Sequence, residues 1–421
     1  MEKQQRAIAQ RSLQKIHFDH KDMDYYLGWI MGREIYEGSR AAECLAVAER
    51  ITDGDRQSWQ REWLALAQQV EAEAQAALRQ GQSELARKRF FCACTYYRAP
   101  LFLMRAQDPA FHPTVQQMQG CFQEAAALSR PPIEPIEVNY QNHRLTGYLQ
   151  KAVADDKPRP TLLVIGGIET FAEDCYFMIG SSGAVHGYNV LTVDLPGQGL
   201  TPDQGLYFGA RMEQPLSTVI DDALSRPEVD PARLALFGFS WGGHIVFKGG
   251  VHDRRIKALI ANPAMPNVFR AVLAQQQGHN RHDPLARAAF DQIVWRMGLR
   301  ISFNPRDIAR RFAKAYDYFF YGKADPRQIL CPTLMLAGEG EAAVTLQIAR
   351  ECYDQLPNPQ KKLVIFTAAD GGEAHCQVNN LALPNRVIFA WLATLWGLPQ
   401  GYAPTTHYKQ GGHDERRALA V

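Results

Sequence analysis

The sequence predicts an α/β protein in which a mostly parallel sheet is covered by helices on both faces and is preceded by a helical region. From Ile136 onward, short apolar runs rich in β-branched residues alternate with helical stretches, and buried strands that alternate with helices form parallel sheets. Before about residue 130, apolar residues recur instead at three- and four-residue spacing, which is the period of a helix.

Length and composition are those of a globular protein. The chain has 421 residues, of which 46% are hydrophobic and 21% charged, and its length suits one large α/β domain with an appendage. The net charge of +2 gives no electrostatic case for binding nucleic acid or an anionic membrane. No apolar run approaches the roughly 20 residues that span a bilayer. The N-terminus has no apolar signal region, so we expect a cytoplasmic protein with its eight cysteines reduced.

Residues 1–130 predict a helical N-terminal domain. Helices are expected at residues 41–49, 59–78 and 84–104. Gly54 and Gly81 suit helix ends, and Asp55 and Ser83 suit the N-caps of the helices that follow. The sequence Arg-Pro-Pro-Ile-Glu-Pro at residues 130–135 breaks the helical pattern and predicts a linker.

Residues 131–400 predict the sheet domain. A hairpin of half-exposed strands comes first, and six apolar strands follow; the eight predicted strands are residues 136–140, 145–151, 161–165, 189–193, 233–237, 256–260, 333–336 and 362–366. Residues 262–328 lack a strand pattern and predict a helical lid over the carboxyl ends of the strands. A helix at residues 378–396, bent or restarted at Pro384, closes the domain, and residues 401–421 predict a mobile tail.

A candidate nucleophile follows the strand at residues 233–237. The segment Gly238-Phe-Ser240-Trp-Gly242 stands between this strand and an amphipathic stretch, and Gly-x-Ser-x-Gly in that context is the nucleophile elbow of the α/β-hydrolase fold. The turn forces Ser240 into a strained backbone conformation, and a side chain at Gly238 or Gly242 would collide with the neighbouring helix or strand. The alternative is an inert Ser in a glycine-rich turn.

A carboxylate and a histidine should follow Ser240 in that order along the chain. After the strand at residues 333–336, the common Gly-x-x-Asp pattern aligns Gly338 with Glu341, which is the predicted acid; Glu339 is the alternative. Glu is adequate because imidazole needs only a carboxylate to orient it.

His375 is the predicted general base, because it lies in the loop between the last strand and the final helix. Its neighbours are expected to shape or fill that loop; they are Asp370, Glu373 and Cys376.

Acyl transfer also needs N–H donors for the developing oxyanion. The predicted donors are the backbone N–H of Trp241 and one from Gly167 or Ile168, in the loop after the third strand. The predicted substrate-binding residues are Gly166, Glu169 and Phe239. The segment Asp194-Leu-Pro-Gly-Gln-Gly199 is expected to be a structural turn without chemistry. A phosphate cradle at the Gly-Gly pair is disfavoured, because there is no G-x-G-x-x-G and no Walker Lys.

These motifs resemble the FrsA-like branch of the α/β-hydrolases over nearly the whole chain. The resemblance rests on Cys94-Thr-Tyr-Tyr-Arg-Ala99, Gly166-Gly-Ile-Glu-Thr170, Asp194-Leu-Pro-Gly-Gln-Gly199, Gly238-Phe-Ser-Trp-Gly-Gly243 and Ala374-His-Cys-Gln377. It implies a Ser–acid–His enzyme, often dimeric, in which the helical domain at residues 1–130 covers part of the pocket or mediates dimerisation. Characterised members cleave a C–C bond next to a carbonyl in β-diketone-like substrates, and relatives hydrolyse esters. This sequence departs from the family at Glu341, where many members have Asp.

The favoured hypothesis is a serine hydrolase, without metal or cofactor, that cleaves a C–C bond beside a carbonyl in a β-diketone or polyketide-like small molecule. A carboxylesterase, a lactonase or an acyl-transferring or cyclising enzyme would use the same triad. A non-catalytic interaction protein is the remaining alternative. We expect a homodimer that binds neither nucleic acid nor membrane.

Overall fold

The computed structural model describes residues 11–267, 270, 283–300 and 302–399. The N-terminal region consists of α1 (Lys21–Gly32), α2 (Ala41–Ala48), α3 (Arg56–Arg79), α4 (Ser83–Leu101) and α5 (Phe111–Leu128). Asp55 caps α3, as predicted, by accepting the Gln57 N–H at 2.8 Å. The predicted cap at Ser83 is wrong: Ser83 is the first residue of α4, and Gln82 occupies the N-cap position.

All eight predicted strands are present in one sheet. They are β1 (Ile133–Tyr140), β2 (His143–Gln150), β3 (Arg159–Ile165), β4 (Asn189–Val193), β5 (Val229–Phe239), β6 (Ala258–Asn262), β7 (Thr333–Gly338) and β8 (Lys361–Phe366). Their order is β1-β2-β4-β3-β5-β6-β7-β8. β2 pairs antiparallel with both β1 and β4, and all other neighbouring strands pair parallel. The predicted linker is too long, because Ile133 already pairs with Gln150.

Helices cover both faces of the sheet. α6 (Ala172–Cys175) runs through a π-helical turn (Tyr176–Gly180) into α7 (Ser181–Val185); α8 (Glu213–Ser225), α9 (Trp241–His252), α10 (Pro284–Arg296), α11 (Pro305–Tyr321), α12 (Ala343–Gln355) and α13 (Ala382–Trp396) follow. The last helix begins at Ala382 instead of residue 378, because the chain before it forms turns, in which the Asn380 N–H donates to the Gln377 carbonyl and the Leu383 N–H to the Asn380 carbonyl. Pro384 lies in the first turn of α13, where a missing N–H breaks no helical bond.

The helices α10 and α11 occupy the described part of the predicted lid; residues 268, 269, 271–282 and 301 lie outside the described residues, as do residues 401–421. Arg296 of α10 donates to the carbonyl oxygens of Gly197 and Gly199 at 2.9 and 3.3 Å. Because both glycines follow β4, α10 lies over the carboxyl end of that strand. Within the described ranges, no helix has the length and apolar composition needed to cross a bilayer.

Alternate residues of the central strands enter two separate cores. Leu162 and Val164 of β3 pack in the core that contains the N-terminal helices. Leu163 and Ile165 of the same strand pack on the opposite face, in the core that contains α8 and α9. Both faces of the sheet are therefore buried, which explains why Leu162–Ile165 of β3 form a continuous apolar run.

Candidate active site

The chain reverses direction sharply at Ser240, between β5 and α9. Ser240 has φ 54° and ψ −124°, and its N–H donates to the Asn262 carbonyl at 2.7 Å. A Cβ at Gly238 would lie 2.2 Å from the Gly242 carbonyl oxygen, and one at Gly242 would lie 2.2 Å from the Ile165 carbonyl oxygen. Both positions therefore need glycine, which agrees with the collision expected from the sequence.

The structure brings Ser240, His375 and Glu341 into one hydrogen-bonded chain. His375 Nε2 lies 3.0 Å from Ser240 Oγ, and His375 Nδ1 lies 2.6 Å from Glu341 Oε1. A neutral imidazole that donates from Nδ1 to the carboxylate leaves Nε2 free to accept the Ser240 proton. The side chains of His375 and Glu341 are 15% and 6% exposed, so water screens their interaction weakly.

The alternative acid, Glu339, lies elsewhere. Its Oε1 accepts the Ala368 N–H at 2.6 Å, so this carboxylate holds the loop that follows β8. Asp370 shapes the same loop by accepting the Thr367 N–H and hydroxyl at 2.9 and 2.8 Å. Of the two candidate acids, the structure thus brings Glu341 to His375.

Electrostatics favour the protonated form of His375. Burial lowers the pKa of the imidazole, but the adjoining Cys376 and the Glu341 carboxylate raise it, and the pKa lies well above its ordinary value. The Cys376 thiol donates to the Asn262 carbonyl at 3.2 Å and is buried. An imidazolium at His375 would therefore be well stabilised.

An N-terminal segment that sequence reasoning missed anchors the histidine loop. Glu373 is fully buried, and its Oε1 accepts the Ser12 hydroxyl at 2.7 Å and the N–H groups of Leu13 and Gln14 at 3.2 Å each. The His375 N–H donates to the Arg11 carbonyl at 2.7 Å. This segment, residues 11–14, carries no sequence motif. Only the fold shows that it holds the histidine loop, which lies about 360 residues away in sequence.

The glycine loop after β3 lies directly against the nucleophile. A Cβ at Gly167 would lie 2.9 Å from Ser240 Cβ. Buried Gln198 donates through Nε2 to the carbonyls of Gly166 and Gly167 at 2.6 and 3.1 Å. In a trans peptide the N–H points opposite to the C=O, so the N–H groups of Gly167 and Ile168 point away from Gln198. Gln198 belongs to the turn to which the sequence assigned no chemistry; the motif at residues 194–199 marks the turn but not the bonds that Gln198 makes.

Glu169 continues this loop towards the N-terminal helices. Its carboxylate accepts the Tyr26 hydroxyl at 3.2 Å and lies 3.8 Å from an Arg11 nitrogen. The Arg11 guanidinium stands over the ring of Tyr25 at 4.2 Å, and the Tyr25 hydroxyl lies 3.4 Å from the His375 carbonyl oxygen. Two tyrosines of α1 and the Arg11 guanidinium from the segment before it thus reach the site.

Trp241 and Phe239, two other residues predicted for the site, lie in different surroundings. Trp241 is the first residue of α9, so its N–H lies at the positive end of the helix dipole, next to Ser240. Phe239 is 1% exposed and lies in the core near Phe237, and its contact with substrate stays a prediction. Among the residues described, no three His, Cys, Asp or Glu side chains form a group that would hold a metal ion.

Comparisons with known proteins agree with this architecture. Hydrolyase poxO of Penicillium oxalicum is 28% identical over 343 residues, which are 73% of this chain and 80% of that protein. The 20-hydroxy-prefusarin hydrolase FUS2 of Gibberella moniliformis is 26% identical over 413 residues, covering 88% and 95%.

Among solved structures, that of 2,6-dihydroxy-pseudo-oxynicotine hydrolase superposes with a TM-score of 0.68 at 21% identity and covers 89% of this chain and 98% of its own. This likeness establishes the α/β-hydrolase fold. The model of the family described as Esterase FrsA-like matches residues 49–302, more than half of the chain. The chain therefore belongs to the esterase FrsA-like family.

Proposed function

We propose that the protein is a serine hydrolase in which Ser240 is the nucleophile, His375 the general base and then acid, and Glu341 the carboxylate that orients the imidazole. The observation that carries the proposal is the hydrogen-bonded chain from Ser240 Oγ through His375 to Glu341, at 3.0 and 2.6 Å. These distances suit proton transfer without rearrangement. The strained turn at Ser240 adds support, because such strain persists where function needs it.

The oxyanion would be bound by the N–H of Trp241 and one from Gly167 or Ile168. The contact between Gly167 and Ser240 and the orientation of the loop by Gln198 support this assignment. Two N–H groups held before the reaction lower the barrier because they need no reorganisation when charge develops.

The proposed reaction is cleavage of a C–C bond next to a carbonyl in a β-diketone or polyketide-like substrate. Ser240 adds to one carbonyl, and the C–C bond breaks with its electron pair moving to the second carbonyl as an enolate. His375 gives the proton it took from Ser240 to that enolate, and water then hydrolyses the acyl-enzyme. Two relatives, hydrolase LUC6 of a Fusarium species and FUS2, support a hydrolase, and FUS2 is named for 20-hydroxy-prefusarin.

The second candidate is hydrolysis of an ester or lactone on the same triad. The description of the family as esterase favours it, and the geometry serves both reactions. The aromatic groups of Tyr25, beside the His375 carbonyl, and of Tyr26, beside Glu169, suit a flat substrate with polar edges in either reaction.

Product analysis with matched substrates tests the proposal. The wild type, Ser240→Ala and the control Ser225→Ala, in which an exposed serine is lost, are incubated with 1-phenyl-1,3-butanedione and with phenyl acetate. We expect the wild type and the control to convert the diketone into a carboxylic acid and a ketone, and Ser240→Ala to be inactive. Ester turnover alone would select the second candidate, and full activity of Ser240→Ala on either substrate would refute the triad.

A further inference from the structure

The lid helix α11 presents its apolar side to solvent. Of its seventeen residues, all of which the structure describes, Tyr318 is the single buried one. Phe312 and Tyr316 are 74% and 60% exposed, and Phe319 and Phe320 are about half exposed. The spacing of these four residues places them on one side of the helix, which we call the aromatic face.

The opposite side of α11 rests on the protein. The Tyr318 ring lies 6.3 Å from that of Trp241, the Arg311 guanidinium donates to the Ser302 carbonyl at 2.8 Å, and Asp307 accepts the Ser302 hydroxyl at 2.6 Å. Ser302 belongs to the segment that leads into α11, so the contacts that hold the helix against α9 are that of Tyr318 with Trp241 and the bond from Lys248 Nζ to the Tyr321 carbonyl at 2.6 Å. They leave the aromatic face directed outward. A surface helix normally has the reverse arrangement.

The exposed area is of the size that a protein interface needs. Phe303, directly before α11, is 98% exposed and adds to this apolar surface, whereas Tyr321 at the end of the helix lies on the other side, under the Arg211 guanidinium. Phe303 and the four residues of the aromatic face together offer on the order of 700 Å² per subunit, taking an aromatic side chain at its usual area. A standard interface buries about 800 Å² per partner, and an exposed patch of this size is uncommon on a monomer.

The distribution of charge favours a second copy of this chain. The aromatic face carries no charged residue, as in the centre of homodimer interfaces, and the net charge of +2 attracts anionic lipid weakly. Arg306 and Asp317 are both exposed and stand eleven residues, about three turns, apart on the same flank of α11. If two such helices pair antiparallel about a two-fold axis, Arg306 of each lies beside Asp317 of the other.

We propose that the aromatic face of α11 is a homodimer interface in which two copies of this helix pair antiparallel. Such an interface is self-complementary, because one surface meets the same surface of the other subunit. This interface goes beyond the proposed function, because the triad residues already contact one another within one chain and do not need a second subunit. It also places dimer contacts on the lid, where the sequence had pointed to the N-terminal domain.

Sedimentation velocity of the full-length protein tests the proposal over a concentration series. We expect the wild type to be a dimer and Phe312→Glu to be a monomer with unchanged circular dichroism, because a charge is placed in the apolar centre. Ile35→Glu is the matched control: Ile35 is 56% exposed in the N-terminal region, and this variant should stay dimeric. Arg306→Asp should weaken the dimer about tenfold, and Arg306→Asp combined with Asp317→Arg should restore it.

Four results would overturn the proposal. The first is a wild type that stays monomeric at every concentration up to about 100 μM, and the second is a dimer that survives Phe312→Glu. The third is a dimer that Ile35→Glu dissociates as readily as Phe312→Glu does, and the fourth is a charge exchange that fails to restore association. Wild-type protein that stays monomeric but sediments with vesicles of phosphatidylcholine and phosphatidylserine would assign the aromatic face to a lipid surface instead.

Discussion

At the scale of single residues, the two nitrogens of His375 contact the two groups that the proposed mechanism needs. The Glu341 carboxylate bonds Nδ1 and the Ser240 hydroxyl bonds Nε2, so the tautomer that accepts the serine proton is the one that the carboxylate selects. The same carboxylate contributes to the raised pKa of His375. A raised pKa strengthens the base but demands a higher pH before the base is neutral.

Replacement of Glu341 by Gln should therefore change both rate and pH dependence. Because the general base acts in its neutral form, activity is present above the His375 pKa and is lost as the pH falls through it. Without the carboxylate charge the pKa falls, so the acid limb of the kcat/KM profile should move to lower pH. We expect kcat to fall about 10³- to 10⁴-fold, because the imidazole loses its orientation.

Glu339→Gln is the matched control for this prediction. Its carboxylate bonds the Ala368 N–H, and we expect its kcat to stay within about tenfold of the wild type. Near wild-type turnover in Glu341→Gln together with a large loss in Glu339→Gln would show that the other glutamate is the acid.

At the scale of elements, the loops after β3 and β4 act together. The turn at residues 194–199 supplies Gln198, which fixes the carbonyls of Gly166 and Gly167, and Leu195 in turn donates its N–H to Gln198 Oε1 at 3.0 Å. Arg296 of the lid donates to the Gly197 carbonyl, so lid, turn and glycine loop form one connected support behind the site. Gln198 is thus a positioning residue.

Loss of the Gln198 amide should lower catalysis more than binding. In Gln198→Ala the glycine loop is freed, so the oxyanion donors are less well placed, and we expect kcat to fall about 10- to 100-fold. KM should change little, because the ground-state carbonyl depends less on these donors. Exposed Gln204 in the next turn provides the control, and Gln204→Ala should match the wild type. A rise in KM at unchanged kcat would contradict the role given to Gln198.

The glycines, the elbow and the strands could be predicted because each leaves a local mark. Ser240 stands in a spaced glycine motif, and successive residues of β3 from Leu162 to Ile165 are apolar because both faces of the sheet are covered. The motif at residues 194–199 marks a turn but not the bonds that Gln198 makes, and the segment at Ser12 carries no motif, because their partners lie 32 and 361 residues away. The late start of α13 was missed because the turns at Asn380 and Leu383 precede the helix without a glycine that would mark them.

At the scale of the whole molecule, a buried ionic cluster joins the N-terminal helices to the hydrolase sheet. Asp174 of α6 is bonded by Arg33, which follows α1, and by Arg98 of α4 at 3.0 Å, and all three are at most 2% exposed. Burial raises the pKa of Asp174, but Arg98 and Arg33 outweigh this effect and lower it. Arg98 also donates to the Glu169 carbonyl at 2.9 Å, which connects the cluster to the active-site loop.

Removal of the Asp174 carboxylate should destabilise the protein strongly. Asp174→Ala leaves two guanidinium groups buried without their counter-charge, and we expect the free energy of unfolding to fall by about 3–5 kcal/mol. The exposed pair of Arg144 and Glu137 provides the comparison, and Arg144→Ala should cost less than about 1 kcal/mol. Urea denaturation measures both. If both substitutions lowered the free energy of unfolding by the same small amount, the cluster would not hold the two regions together.

The central claim is that Ser240 is an activated nucleophile, and the most direct measurement is the intact mass of the protein after exposure to a fluorophosphonate. We expect one adduct on the wild type, none on Ser240→Ala, and much slower labelling of His375→Ala, because the base that activates the hydroxyl is lost. A folded wild type that forms no adduct, or an adduct that persists in Ser240→Ala, would contradict the account.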